Sequence, residues 1–351
     1  MADDATLDGS RVLVTGGAGF IGSQFVRQFL ERFPRSHVVV LDALTYAGRR
    51  ENLEGLPNRS MTFLHGNIRD PQAVSRAMSG CDLVLNFAAE SHVDRSIEAP
   101  GEFIQTDVYG VFVLCEEARR QARVRRLVQI STDEVYGEVL EGEATESWLL
   151  EPRSPYAASK AGGDRLAHAY WATYGLPVVV TRCSNNYGPR QYPEKLVSLF
   201  VTNAIDDQPL PVYGTGKNRR DWLHVEDHCA ALIALLANPG IEGETFNIGG
   251  QCERDVLTVT EAVLRLLGKP TSLIRHVEDR PGHDRRYAVD SSKLTRLTGW
   301  RPEIPFEDGI RRTVDWYREN EAWWKPIKQG EFRAYYERMY GQRRVLKEVR
   351  S

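Results

Sequence analysis

The strongest constraint on this chain is a rhythm in its first half. Short β-branched runs, "RVLVTG", "HVVVLD", "MTFLHGN", "DLVLNFAA" and "RLVQIST", alternate with longer stretches of helical periodicity such as Phe20 to Arg32 and Gly101 to Arg123. A strand that is apolar on both faces needs cover on both, and a helix between two strands brings the chain back in the same direction. The pattern predicts an α/β fold, a doubly wound parallel sheet with helices on each side. "PVVVTRCSN" supplies a further strand after a helix through "SPYAASKAGGDRLAHAYWATYG". From about Gly188 the texture shifts to loops punctuated by Pro and Tyr, short strands in "LPVYG" and "ETFNIGG", and helices near Val225 to Ala237, Thr258 to Leu267 and Phe306 to Glu319. We expect one domain over residues 1–187, to which later segments return, and a smaller, discontinuous C-terminal substrate-binding lobe over 188–325. Residues 326–351 form a basic extension with 7 Lys and Arg against 3 Glu, expected as a solvated or dimer-packed helix.

At 351 residues with 42% apolar side chains, the chain has material for this sheet and an adjoining lobe. Its 45 Lys and Arg nearly balance 48 Asp and Glu, for a net charge of −3, which argues against the basic footprint that a nucleic-acid backbone demands. Cys81, Cys115, Cys183, Cys229 and Cys252 lack metal-ligand spacing and sit mostly in apolar runs, so they read as buried thiols of a reducing compartment, with no metal site. The opening "MADDATLDGS" is polar and acidic, and no run of about 18 apolar residues occurs. A soluble, cytoplasmic protein without a membrane partner is expected.

Directly after the first strand, "TGGAGFIG" sets Gly16, Gly19 and Gly22 at Gly-x-x-Gly-x-x-Gly spacing and opens a helix. Glycine lets backbone come close to a pyrophosphate, and the free N–H groups of a helix start attract it. Asp42 ends the second strand 20 residues after Gly22, where a carboxylate accepts hydrogen bonds from an adenosine ribose diol and repels a 2′-phosphate. The sheet is therefore expected to be Rossmann-type and the cofactor NAD, with Arg49 and Arg50 leaving NADP open.

"LVQISTDEVYGEV" breaks an apolar strand with two adjacent acids, Asp133 and Glu134, where a parallel sheet emerges into its crevice. Alternation along a strand would send the two to opposite faces, so the strand is expected to end by Asp133. In "SPYAASKAGGD", Tyr156 and Lys160 are four apart and share a helix face. That sets an ammonium beside a phenol, lowers the phenol's pKa and makes a usable base for a hydroxyl proton.

Together these motifs resemble the extended short-chain dehydrogenase/reductase superfamily, which joins such a Gly-rich turn to a Tyr-x-x-x-Lys pair. "FAAESHVDRSI", "STDEVYG", "NNYGPRQYPEKL" and "DRPGHDRRYAVD" narrow the resemblance to the dTDP-glucose 4,6-dehydratase family, over roughly residues 10–325. The resemblance implies an NAD-dependent hydro-lyase that oxidises C4 of a nucleotide sugar, eliminates water across C5 and C6, and returns the hydride to C6. It makes Asp133 the acid at the departing C6 hydroxyl, Glu134 the base at C5, and Thr132 and Tyr156 partners of the C4 oxygen, with Lys160 beside them. It sets the cofactor against Phe20, Ile21, Leu44, Thr45, Asn67, Ile68, Phe87, Ala88, Ala89, Ser91, Thr106 and Asn186, besides the three glycines, Asp42, Tyr156 and Lys160. The substrate falls against Ser91, His92, Thr132, Asn185, Lys195, Leu196, Pro211, Tyr213, Arg220, Asp279, Arg280 and His283. Cations suit a diphosphate, and an aromatic ring or guanidinium can stack on a base. A nucleotide-sugar 4-epimerase or decarboxylase of the same superfamily is the alternative. Asn67 stands where the family carries Asp, Arg190 where it carries Tyr, and Val256, or Asp255 with a one-residue shift, where it carries Asn. The family pairs two helices about a two-fold axis, so a homodimer is expected, with Val111, Leu114, Ala158 and Leu166 towards the partner.

Overall fold

The structure, a computed structural model, describes residues 7–341 and 343–346. Its first half runs β1 (Arg11–Thr15), α1 (Phe20–Arg32), β2 (His37–Asp42), β3 (Met61–His65), α2 (Pro71–Met78), β4 (Leu83–Asn86), α3 (Val93–Glu98), α4 (Pro100–Phe103), α5 (Gly110–Gln121), β5 (Arg126–Thr132), α6 (Pro155–Tyr174) and β6 (Val178–Cys183). There follow β7 (Asn185–Tyr187), α7 (Leu196–Ile205), β8 (Leu210–Tyr213), β9 (Arg219–His224), α8 (Val225–Leu236), β10 (Thr245–Ile248), β11 (Glu253–Asp255), α9 (Val256–Leu267), β12 (Ile274–Val277), α10 (Ser292–Thr298), α11 (Phe306–Glu319), α12 (Glu321–Trp324) and α13 (Glu331–Tyr336).

Seven strands form one sheet in the order β10-β6-β5-β4-β1-β2-β3, each neighbouring pair parallel. This is the doubly wound, Rossmann-type arrangement the strand rhythm requires. Along β1 alternate residues serve opposite faces. Val12 and Val14 pack with Phe25 and Phe29 of α1 and Leu232 of α8. Leu13 packs with Val74 of α2, Leu114 of α5 and Ala167 of α6. Burying each such side chain is worth roughly 1.5–3 kcal/mol, and a slip of one residue would exchange the two faces. The order reverses between β1 and β4, and that switch point opens the crevice in which ligands of such sheets bind. Beyond it, β7, β9 and β11 make a small mixed sheet and β8 pairs with β12, around a core that includes Trp222, Phe306, Tyr317 and Trp324.

Two expectations are corrected here. Val111 and Leu114, each 1% exposed, lie on the sheet side of α5 inside the core and face no partner. Leu166 is half-buried against the same core, while Ala158 is exposed. A wide π turn over Ile104–Tyr109 separates α4 from α5 and leaves Ile104, Tyr109 and Phe112 as the exposed apolar side chains there. The basic extension, in turn, packs on its own chain instead of standing free. Lys328 Nζ donates to Asn203 Oδ1 at 2.7 Å, and residues 344–346 run beside β12, Glu278 N donating to Arg344 O at 2.9 Å and Leu346 N to His276 O at 3.0 Å. Its last residues, 347–351, like residues 1–6 of the opening stretch, lie outside the described residues.

Among the described residues no helix is long and apolar enough to cross a membrane, and no group of three His, Cys, Asp or Glu side chains is arranged to hold a metal ion. All five cysteines are free thiols, four of them buried.

Candidate active site

β1 ends at Thr15, and the chain turns through Gly16 with φ +66° before α1 begins. A Cβ at Gly16 would sit 2.6 Å from the backbone nitrogen of Ala88, which follows β4, so the two strand ends at the switch point close up only around glycine. α1 starts at Gly19 without a side-chain cap, which leaves the first N–H groups of the helix and its positive dipole end directed into the crevice. Asp42, at the end of β2, accepts from Ala18 N at 2.9 Å and from Leu44 N at 2.8 Å. Each carboxylate oxygen keeps a lone pair for a ribose diol. Burial raises this carboxyl above its ordinary range, and the two backbone N–H groups hold it down. The backbone cradle, the uncapped helix and the buried acid fit a dinucleotide.

β5 hydrogen-bonds to β6 as far as Thr132, opposite Cys183, and then tightens into one 3₁₀ turn, Asp133–Tyr136. The strand thus ends before Asp133, which removes the alternation that would have split the two acids. Thr132 Oγ1 accepts from Glu134 N at 3.3 Å and donates to Asp133 Oδ1 at 3.1 Å. Asp133 is 3% exposed, and its Oδ2 has no partner among the described residues. Burial, then the charges of Glu134 and Asp221, push the Asp133 carboxyl well above the usual range, which favours its protonated form. Burial raises Glu134 too, but Arg280, Arg220 and Lys195 all oppose it. Two adjacent carboxyls in environments this different are suited to opposite proton-transfer roles.

α6 opens with Ser154 capping Ala157 N at 3.1 Å and Pro155 in its first turn, which points the following turns at the 3₁₀ turn. Lys160 Nζ donates to Ile130 O at 2.7 Å. The expected lowering of the Tyr156 phenol is corrected: burial, with the charges of Glu134 and Asp107, pushes it well up, and hydrogen bonding with Thr132 works the other way. The reason is geometric, since the lysine is tied to a strand carbonyl while a carboxylate faces the phenol.

These groups line one cavity of about 390 Å³. Every residue anticipated on the cofactor side lines it except Leu44, whose contribution is its N–H to Asp42. The five candidate catalytic residues line it as well, with Ser91, Asn185, Lys195 and Leu196 from the substrate side. Lys195 Nζ is bonded to the Ser91 carbonyl. His92, Pro211, Tyr213, Arg220, Asp279, Arg280 and His283 stand outside that lining. Arg220 is nevertheless aimed, its two Nη groups held by the carbonyls of Arg219 at 2.8 Å and Asp284 at 2.9 Å, with its guanidinium 4.3 Å over Tyr287. Arg280 lies 3.6 Å from Asp94 and His283 bonds Asp279 at 2.6 Å. Pro211 lies within β8, opposite Arg275 of β12, and His92 sits under the tail, its Nδ1 3.3 Å from Tyr335 Oη.

Glu194 and Trp222 are among the lining residues that sequence reasoning missed, and it missed the tail's contact with Tyr213. Glu194 stands beside Lys195 inside a quoted motif, and Trp222 two residues along the same strand as Arg220, so both were within reach. The tail's signal was weaker, Tyr336 and Tyr340 at helical spacing. Tyr340 stacks on Tyr213, centroids 5.9 Å apart, and Arg343 lies 4.6 Å over the same ring. Of the departures from the family pattern, Asn67 Oδ1 accepts from Arg69 N at 2.9 Å, Asp255 caps α9 through Thr258 N at 2.7 Å, and Arg190, at φ +67°, packs 5.5 Å over Trp316 outside the cavity lining. Val256, the first residue of α9, is buried in the core with Trp222 and Phe306.

The model of the GDP-mannose 4,6 dehydratase family matches residues 13–313. The dTDP-glucose 4,6-dehydratase of Streptomyces niveus is 50% identical over 323 residues, 91% of this chain and 96% of that protein. DesIV, a dTDP-glucose 4,6-dehydratase of Streptomyces venezuelae crystallised with NAD bound, superposes with a TM-score of 0.88 at 51% identity, covering 91% of this chain and 100% of that one. The UDP-glucose 4-epimerase of Thermus thermophilus, in complex with NAD, stands further off: TM-score 0.81, 36% identity, 88% of this chain and 99% of that one.

Proposed function

This chain belongs to the dTDP-glucose 4,6-dehydratase family, and from that premise we propose which of its residues carry each step. It is an NAD-dependent hydro-lyase that converts dTDP-glucose to dTDP-4-keto-6-deoxyglucose and water. The observation that carries the assignment is the Thr132-Asp133-Glu134 turn opening into the same cavity as Tyr156, Lys160 and the Gly16–Gly22 turn. NAD held on that turn supplies the hydride acceptor for C4 and the hydride donor for C6, and in its oxidised ring one positive charge.

Tyr156 takes the C4 hydroxyl proton; the positive charge that oxidised NAD would bring opposes the burial and the charges of Glu134 and Asp107 that hold this phenol up. Thr132 hydrogen-bonds the C4 oxygen. The new ketone acidifies C5, and Glu134 removes that proton; burial raises its carboxyl, and the charges of Arg280, Arg220 and Lys195 oppose that rise and favour the carboxylate a base needs. Asp133, whose raised carboxyl favours the protonated form, gives its proton to the C6 hydroxyl as the C6–O bond breaks, so one water leaves. Lys195, Arg220 and Arg280 neutralise the diphosphate, and Tyr213, with Tyr340 on its ring, forms the nucleoside end. Mass spectrometry of the product tests the reading: loss of one water from dTDP-glucose supports it, and an unchanged mass, the result of epimerisation, sinks it.

We further propose a homodimer through α5 and α6, with Tyr109, Phe112 and Ala158 in the contact in place of Val111 and Leu114. Light scattering at micromolar concentration tests it, and a monomer rejects it. A cytoplasmic location is supported by the five free thiols, and cell fractionation tests it.

A further inference from the structure

Tyr136 closes the turn that carries the two acids, but its side chain is buried in the protein and takes no part in the cavity lining. We propose that Tyr136 is a positioning residue for the elimination step, setting the aim of Asp133 and Glu134 through a buried network of Arg182, Asp164 and Asn247. The inference rests on the dehydratase reading above.

The turn is four residues long and is held at its start by β5. At its end Gly137 takes φ +75°, and a Cβ there would lie 2.3 Å from the Glu151 carbonyl oxygen, so the chain leaves the turn in one direction. In 3₁₀ geometry side chains three apart stack over one another, which puts Asp133 and Tyr136 on one side and Glu134 a third of a turn away. Holding Tyr136 therefore fixes the roll of the turn and the direction of both acids.

Its hydroxyl is held from two sides. It donates to Asn247 Oδ1 at 2.7 Å and accepts from Arg182 Nη1 at 2.8 Å, and the guanidinium lies 4.8 Å over its ring. Asn247, on β10, is fixed in turn by Nδ2 donating to the carbonyls of Ala144 at 2.8 Å and Asp290 at 3.2 Å. Arg182 forks onto Asp164 at 2.7 and 3.2 Å, and Asp164 stands on α6, the helix of Tyr156 and Lys160. Arg182 is 2% and Asp164 0% exposed. Burial raises the Tyr136 phenol to about 12, Arg182 opposing, so the hydroxyl stays a donor. A buried ion pair adds little net stability, but it holds one arrangement because every alternative leaves a charge unpaired. The network thus joins the two acids to the Tyr156 helix from behind. The oxidising pair has its own anchors, Lys160 on the Ile130 carbonyl and Ser159 Oγ on Asp107 at 2.7 Å. Loss of the Tyr136 hydroxyl should therefore reach elimination first.

The experiment mixes dTDP-glucose rapidly with wild type, Tyr136→Phe and Asn247→Asp in deuterated water, following the reduced-nicotinamide absorbance, deuterium entry at C5 and thermal melting. Displacing a proton-transfer group by an ångström or less costs about 10- to 100-fold. Tyr136→Phe should lose turnover in that range with KM little changed, accumulate reduced nicotinamide, and take up C5 deuterium more slowly. Asn247→Asp keeps an acceptor for the hydroxyl but loses both Nδ2 bonds that fix it, so it should shift the partition in the same direction as Tyr136→Phe. A Tyr136→Phe protein with the wild-type partition, or one slowed in both steps in proportion to lost thermal stability, overturns the proposal. A wild-type protein that removes no water from dTDP-glucose overturns the dehydratase reading itself.

Discussion

The two ends of the cavity are made of different material. The cofactor end is backbone: one turn between β1 and α1, a helix start, and an aspartate whose oxygens already hold two N–H groups. The proposed substrate end is side chains from distant segments, Lys195 in the lining and Arg220 and Arg280 outside it, each held by its own chain: Lys195 by the Ser91 carbonyl, Arg220 by the Asp284 carbonyl, Arg280 by Asp94. A backbone site is set as soon as the strands pair. A side-chain site depends on every segment arriving, and its charges shift one another, so single substitutions there should change chemistry where those at the cofactor end change retention.

The largest expected effect lies where the two ends meet. Glu134→Gln removes the base at C5 and leaves Tyr156 and Lys160 intact, so turnover should fall by about 100-fold or more while the reduced-nicotinamide absorbance builds up. Wild-type turnover would mean that the substrate end owes nothing to that carboxylate. Asp107 should show the next effect, through pH. It takes Glu90 N at 2.9 Å and Ser159 Oγ at 2.7 Å, and burial pushes it from 3.8 up to about 6. A raised carboxyl favours folding below its unfolded pKa, and that advantage is lost as pH rises through the folded value. Relative to Asp107→Asn, wild-type stability should fall between about pH 4 and pH 7, by roughly 3 kcal/mol at most. A pH-independent difference in melting temperature between the two would contradict it.

At the cofactor end, Asp42→Ala should narrow the preference for NAD over NADP by about 10-fold or more, the worth of hydrogen bonds to a charged group. Calorimetry giving equal affinities for the two cofactors in the wild type would show that this carboxylate reads no ribose. The smallest effect is expected at the nucleoside end. Tyr340→Ala removes an aromatic pair worth about 0.5–1.5 kcal/mol, so KM for dTDP-glucose should rise a few-fold with kcat unchanged, and an unaltered KM would remove the tail from the site.

The same contrast explains what was legible in the sequence. α1 spans Phe20–Arg32 and β2 ends at Asp42, both as read, because a glycine turn and a strand-end acid are local signals. The end of β5 before Asp133 was legible too, since period-two alternation forbids both acids on one face. Val111 and Leu114 were read as outward because apolar spacing on a helix identifies a stripe without saying which neighbour covers it, and here the sheet does. The raised Tyr156 phenol was hidden for another reason: Lys160 is close in sequence, whereas Glu134 reaches the phenol only through the fold. Arg220, Arg280 and Tyr213 were proposed only through the joint resemblance of several motifs, and all three stand outside the cavity lining. The spacing of Tyr336 and Tyr340 marks a helical face in the tail but not what it covers, since stacking on Tyr213 joins residues more than a hundred apart in sequence.

The central claim is that oxidation, elimination and reduction occur within one cavity on one sugar. dTDP-glucose carrying deuterium at C4, converted in ordinary water and mixed with an equal amount of unlabelled substrate, tests it most directly. Every product molecule derived from labelled substrate should carry its deuterium at C6, with solvent hydrogen at C5 and no label passed to the unlabelled pool. Deuterium washed into solvent, or shared between the two pools, would contradict it.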